Sequence, residues 1–313
     1  MHPLKTNMRL ASAADARARG GPITPDEALQ LRYADMLIDV SMNRNSDQCI
    51  VMDKIDMDTS ILSLPLMKYH TEVNEAVEWL YPGRQLDFSA TILCSNNNSV
   101  DMWNSIAQEM NPESEKKLLS KDSFSEVDDP NGHLKKMLSD EFLNGFKKCG
   151  IPDHELKLKV NDICLVTRAI HGLGIANNSR VRIVCVRPHC VEVITIGEEY
   201  ERRLIRIPRI SFKFRLPYGK SYQLTRMQFP LRLAYAMTYN KSQSQTLVKV
   251  LLDITSPPFS HGQLYVALSR VRDCRNINIY LKEDQLKQSP YDVNILMPTV
   301  NNIVYQDVLA LNS

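Results

Sequence analysis

Three features are missing from this sequence, and each absence removes a class of function. There is no Cys-x-x-Cys pair among the seven cysteines. Cys185, His189 and Cys190 lie close together, but no second ligand pair stands at zinc-finger spacing, which argues against a metal site. No apolar run reaches the roughly 20 residues that a membrane-spanning helix needs, and the sequence starts without a secretory apolar region. The expectation is an intracellular, reducing setting with no membrane partner, where the cysteines act as small core residues. Finally, no GxxxxGK[ST] phosphate loop occurs. The only Gly-Lys-Ser is Gly219-Lys220-Ser221, and Phe214 stands where the opening glycine would have to be. Without that loop the chain has no cradle of its own for nucleotide phosphates.

What is present is enough for two domains: 313 residues, 43% of them apolar. The net charge is only +2, but it is unevenly spread. Residues 201–280 hold fourteen Lys or Arg against three acids, whereas residues 101–160 hold twelve acids and nine Lys. A basic block of this kind reads either as a face that meets an anion or as a solvated surface.

Thr24-Pro25-Asp26-Glu27 has the form of a capping box with proline at the first helical position. Leu29, Tyr33, Met36, Leu37 and Val40 then recur at helical spacing. A second helix is expected after Thr71, with Val73, Ala76, Val77 and Leu80 on one face, and Tyr81-Pro82-Gly83 ends it. SATILCS reads as a buried strand, and the following segment puts Val100, Trp103, Ile106, Ala107 and Met110 on one helical stripe. Strand, turn, helix is half of an α/β unit. Residues 112–132, acidic and rich in Ser and Asp, read as an exposed insertion. From 156 to 228 short β-patterned runs (ICLVT, RVRIVCV, CVEVITI, RRLIRI) alternate with turn residues, which is the signature of a small β module. After Phe229 the α/β pattern returns: LAYAMT and LVKVLLDI as strands, HGQLYVALSR as a helix, NINIYL as a strand.

The polar run TYNKSQSQT begins where LAYAMT ends. In open α/β sheets ligands gather at the carboxyl ends of strands. Lys241 can pair with a phosphate, and Thr238, Asn240 and Ser242 can bond phosphate, sugar or base. Gln243 and Gln245 can bridge two groups through their amides. The alternative is a polar loop that only caps the next helix. Gln263 and Arg270 are seven apart, so on a continuous helix they share a face. Arg270 is then either a surface cation or a side chain that reaches a developing phosphate charge.

Together, MQFPLRLAYAMTYNKSQSQTL and SPPFSHGQLYVALSRVRDCRNINIY resemble the C-terminal motor motifs of the petite-integration-frequency family of superfamily-one DNA helicases, in the form found in Helitron rolling-circle transposases. TYNKSQSQT is similar to motif V, YVALSRVR to motif VI and LKTNMRL to motif IV; LPLMKY and IVMDKID sit where the family has a polar-bounded loop. LKLKVNDICLVTRAIHGLGIANNSRVRI and IPRISFKFRLPYGKSYQLTRMQFP resemble the two ends of the family's SH3-like domain 2B. The resemblance implies a RecA-like second motor domain of P-loop NTPase type. Its parts would be 1–155, carrying the acidic insertion, and 229–313, with domain 2B at 156–228 between them. It implies Arg9 and Arg270 approaching the γ-phosphate of ATP. It places Gln243, Ser244, Gln245 and Gln263 along the nucleotide cleft, and Thr238, Asn240, Lys241 and Ser242 toward single-stranded DNA. His261 is a motif residue without a separable role. Ser244 departs from the family's usual glycine, and its Cβ crowds a backbone that must approach phosphate.

The implied activity is ATP- and Mg²⁺-dependent 5′-to-3′ DNA unwinding in recombination, repair, telomere maintenance or rolling-circle transposition, in the nucleus. The implied partners are single-stranded DNA and a first RecA-like domain carrying Walker A and B. Alone, without that domain, the chain is expected to be inactive. The competing reading is a non-enzymatic module that grips single strands through phosphate contacts and aromatics such as Tyr218, Tyr222 and Tyr239.

Overall fold

The structure is a computed structural model, and it describes residues 23–42, 46–51, 57–64, 67–124, 140–146, 150–196, 203–215, 223–243, 245–288 and 295–305. Arg9 and the rest of LKTNMRL, Ser244, Tyr218 and Tyr222 lie outside the described residues. The chain divides into two compact units, one formed by residues 1–105 with 236–313 and the other by 106–235.

The first unit is built on a five-stranded sheet in the order Ala236–Thr238, Ala90–Cys94, Lys249–Asp253, Ile277–Tyr280, Lys68–His70. Every neighbouring pair is parallel. The central strands are mostly apolar and buried throughout: all five residues of Ala90–Cys94 are buried, as are Val250 to Asp253. A parallel strand covered on both faces requires that composition. This is the mixed α/β architecture expected from the alternating pattern, with the central parallel sheet that the RecA-like resemblance implies.

The helix Pro25–Met42 starts as the capping box dictates. The Glu27 amide donates to Thr24 Oγ1 at 3.2 Å, and the Thr24 amide donates to Glu27 Oε2 at 3.0 Å. It buries Tyr33, Met36, Leu37 and Val40. The helix Val73–Leu80 buries Ala76, Val77 and Leu80. Its C-terminal carbonyls are capped by Lys249, whose Nζ donates to the carbonyls of Trp79 and Leu80 and lies 4.6 Å from the Trp79 ring centre. The helix Asn97–Met110 carries the expected stripe, with Val100, Trp103 and Ala107 buried.

A second, antiparallel sheet in this unit was not expected from the sequence. Its order is Ser46–Val51, Met57–Ser63, Leu296–Tyr305, Leu286–Gln288. The residues read as a polar-bounded loop are therefore partly strand: IVMDKID begins inside Ser46–Val51, and Lys68 and Tyr69 of LPLMKY open the edge strand of the parallel sheet. Met57–Ser63 pairs with a strand some 240 residues later, between Thr299↔Ser63 and Tyr305↔Met57, and local patterning carries no trace of so distant a partner.

The second unit is wholly antiparallel among its described strands. A five-stranded sheet runs Leu204–Pro208, Cys190–Thr195, Arg180–Val186, Ile163–Val166, Leu231–Leu233. A three-stranded sheet runs Ile210–Arg215, Gln223–Gln228, Lys121–Phe124, and Lys116–Leu119 pairs with Glu155–Leu158. One apolar cluster includes Leu118, Leu158, Val166, Ile183, Val193, Ile207 and Phe229, and a smaller one joins Leu143, Phe214 and Leu224. The stretch 112–132 is thus not simply an exposed insertion. It contributes two strands, and Leu118 is buried.

Two buried polar centres hold this second unit. Asp162, fully buried, accepts from Gln108 Nε2 (2.6 Å), the Lys159 amide (2.7 Å), Asn111 Nδ2 (2.8 Å) and the Tyr235 hydroxyl (2.9 Å). Arg226, 1% exposed, pairs with Asp122 at 2.8 Å and donates to the carbonyls of Leu143, Phe146 and Pro152. Burying a charge is costly unless hydrogen bonds or a countercharge satisfy it; Arg226 has both, and Asp162 is held by four neutral donors.

Candidate functional site

The polar run lies where the sheet rule puts it. The strand Ala236–Thr238 ends at the carboxyl edge of the parallel sheet, and residues Tyr239–Ser242 form a 3-10 turn directly after it. Among the described residues no helix follows before the strand Lys249–Asp253, so the run does not cap one.

Its parts face different ways. Tyr239 is buried and its hydroxyl donates to the Asp253 carbonyl at 2.7 Å, with burial holding its pKa well above the ordinary phenol value. It is a core residue, which removes it as a stacking aromatic. Ser242 is also fully buried, its hydroxyl donating to the Tyr239 carbonyl at 2.7 Å, so in this conformation it closes the turn from inside. Asn240 and Gln243 are exposed, and Thr238, Lys241 and Gln245 are half-buried. Gln245 donates to the Lys241 carbonyl at 3.1 Å.

Below the turn sits Asp253, a residue that sequence reasoning passed over. Its carboxylate is buried and accepts from Trp103 Nε1 at 2.7 Å, from the Thr255 amide at 2.9 Å and from the Thr255 hydroxyl at 2.6 Å. Through its carbonyl it anchors Tyr239, so one residue fixes the helix bearing Trp103 and the turn bearing Asn240 and Lys241. An acid at the last position of an apolar strand was the available signal.

The second constellation approaches the same turn. The helix expected across HGQLYVALSR is shorter, Gln263–Leu268, and starts from Gly262 at φ 71°. A left-handed φ there suits glycine and little else. Arg270 therefore lies beyond the helix, and the shared-face argument does not apply as stated. Both side chains still converge. Gln263, buried, donates to Asn240 Oδ1 at 3.3 Å and accepts from the Phe259 amide at 3.0 Å. Arg270, 5% exposed, donates from Nε to the Val266 carbonyl (2.6 Å), from Nη1 to the carbonyls of Ser242 and Gln245 (both 3.3 Å), and from Nη2 to Ser269 Oγ (2.7 Å). The Leu247 amide returns a bond to the Arg270 carbonyl at 2.9 Å. Tyr33 holds the helix end, its buried hydroxyl donating to the Leu268 carbonyl.

The basic excess of residues 201–280 is partly internal. Arg226 and Arg270 are buried, Lys249 caps a helix, Arg206 pairs with Glu192 at 3.0 Å and Arg275 with Asp273 at 2.6 Å. A single anion-facing surface built from the whole block is not what the fold makes of it.

No protein-family profile matches the chain, and no curated protein matches it by sequence. Solved structures do match. The Pif1 helicase from Candida albicans aligns over 83% of this chain and 55% of its own, at 19% identity and TM-score 0.53. Pif1 from Bacteroides bound to single-stranded DNA aligns over 88% and 49%, at 19% identity and TM-score 0.46. The Bacteroides sp. Pif1 complex with ADP-AlF4 aligns over 81% and 50%, at 18% identity and TM-score 0.45. The chain thus spans about half the length of the structures it matches. The Candida albicans alignment carries the fold: a RecA-like α/β architecture of the kind found in that helicase.

Proposed function

We propose that this chain supplies the second RecA-like motor domain of a Pif1-type DNA helicase, of the Helitron class, and that its own contribution is to grip single-stranded DNA. The observation that carries this reading is the turn Tyr239–Ser242 at the carboxyl edge of the parallel sheet. It exposes Asn240 beside Lys241 and is braced from behind by Gln263 and Arg270. A cation and an amide on a fixed turn suit backbone contacts to a nucleic-acid strand. In this reading residues 156–228, within the antiparallel unit, are the SH3-like accessory module. The motif resemblance sets the chain among nuclear DNA transactions such as recombination, repair or rolling-circle transposition.

As they stand, the residues do not make an ATP–Mg²⁺ site. The sequence has no phosphate loop. Among the described residues no cluster of acids could hold a metal ion, and the Arg270 guanidinium is engaged by three carbonyls and a hydroxyl. No hydrolytic step is therefore assigned to this chain. In the full reading a first motor domain supplies the nucleotide platform. The second reading, a DNA-binding module without catalysis, draws on the same engagement of Arg270.

Two assays on the purified chain test this. Fluorescence anisotropy with a labelled oligo-dT should show salt-sensitive binding that ignores ATP, and phosphate release in the presence of that DNA should stay at background. Robust turnover abolished by Arg270→Ala would contradict the assignment, as would failure to bind DNA at low salt.

A further inference from the structure

We infer that Phe259 is a base-stacking platform for single-stranded nucleic acid, set beside the backbone-gripping turn. The inference rests on the DNA-gripping reading above and adds a contact to the bases. Phe259 is 62% exposed, the most exposed large apolar side chain among the described residues. It is not on a loose tip. Pro258 before it is buried, its own amide donates to Gln263 Oε1 at 3.0 Å, and the Gly262 amide donates to the Ile303 carbonyl at 3.3 Å. Gln263 in turn reaches Asn240 at 3.3 Å, so two hydrogen bonds join the Phe259 backbone to the turn that presents Asn240 and Lys241.

The surroundings select the occupant. Neither TSPPFSHGQ nor YNKSQSQTLVK, the two segments that meet here, contains an acidic residue, and the second places Lys241 on the turn. Asp253, which precedes the first segment, has its carboxylate buried and bonded to Trp103 and Thr255. An apolar protein partner would need a patch around the ring, but the neighbours on the turn are polar. A strand that offers phosphates to the cation and flat bases to the ring fits both. Stacking on an aromatic is tolerant of sequence, since every base has a π-face.

The test compares a labelled oligo-dT with an abasic oligomer of the same length and charge, by anisotropy at one low salt concentration. The wild-type chain should bind oligo-dT about tenfold more tightly than the abasic strand. Phe259→Leu should remove that preference and leave abasic binding unchanged. Phe259→Trp should keep it, with quenching of the added tryptophan on binding oligo-dT only. Equal wild-type affinity for the two strands, or a preference that survives Phe259→Leu, overturns the stacking role and leaves the backbone grip standing. No binding of either strand overturns both.

Discussion

Arg270 Nη1 donates to the backbone carbonyl of Ser242 at 3.3 Å, so an arginine just past one helix holds a turn 28 residues earlier in the chain. The same guanidinium also reaches the carbonyls of Val266 and Gln245 and the Ser269 hydroxyl. Its first role is to shape the Ser242–Gln245 backbone. Arg270→Ala removes the guanidinium from the Gln245 carbonyl and leaves the Ser242 carbonyl with the Gln245 amide at 3.0 Å alone, which should cost about 1–3 kcal/mol. Both tryptophans of the chain, Trp79 and Trp103, belong to this unit, so tryptophan fluorescence during urea unfolding reads it selectively. The midpoint should fall for Arg270→Ala and fall less for Arg270→Lys, whose ammonium cannot span the same carbonyls. An unchanged midpoint in both would mean that the cage around the guanidinium is not formed in solution.

In the second unit the decisive pair is Asp122 with Arg226, 2.8 Å apart and both buried. Asp122→Ala strands a guanidinium in the interior and should cost about 3–5 kcal/mol. Replacing both by apolar residues often restores a buried pair's stability, but here the carbonyls of Phe146 and Pro152 also lose the guanidinium, and the Leu143 carbonyl keeps only the Phe146 amide at 3.3 Å. The double variant Asp122→Leu/Arg226→Met should therefore remain about 1–3 kcal/mol below wild type. Amide hydrogen exchange across Leu224–Met227 checks this; wild-type protection in the double variant would show that the carbonyls do not depend on Arg226.

His70 gives the first unit a pH dependence. Its Nε2 lies 2.9 Å from the Asn278 side-chain amide, and burial holds its pKa below the ordinary 6.5, opposed by the Glu75 carboxylate 4.0 Å away. The unfolded chain takes up a proton that the fold resists. Stability is therefore intact above pH 6.5 and falls as pH drops through 6.5 toward the folded value, below which both states are protonated and the loss levels off. The tryptophan-monitored midpoint should decline across that window in the wild type and decline less in His70→Gln. Identical slopes would assign the acid sensitivity elsewhere.

The parts of this fold that were legible in the sequence are those set by neighbours in the chain. Thr24 and Glu27 cap a helix because they are three residues apart, and Ala90–Cys94 declares itself as a short, mostly apolar run. The polar run at the end of Ala236–Thr238 could be placed for the same reason. What was missed depends on distance along the chain. Asp122 meets Arg226 across 104 residues, and Met57–Ser63 has enough polar residues to pass for loop until Leu296–Tyr305 pairs with it. The helix before Arg270 reads longer than it is because the apolar period continues through Val271. The chain leaves the helix at Ser269, and Val271 is buried from a non-helical position. Tyr239, expected outside as a stacking aromatic, enters the core, whereas Phe259, to which the sequence reading gave no role, remains outside. Burial of one aromatic in a polar stretch is decided by what lies beneath it, here the Asp253 carbonyl.

The central claim is that the turn carrying Asn240 and Lys241 meets the backbone of a single strand. The most direct measurement is the dependence of oligo-dT affinity on salt for the wild-type chain and for Lys241→Ala. Each phosphate contact on a single strand contributes about 0.7 to the slope of log affinity against log salt. The account predicts that Lys241→Ala lowers the slope by about that amount while the tryptophan-monitored midpoint stays in place. A slope that does not change would remove Lys241 from the interface and contradict the assignment of this turn.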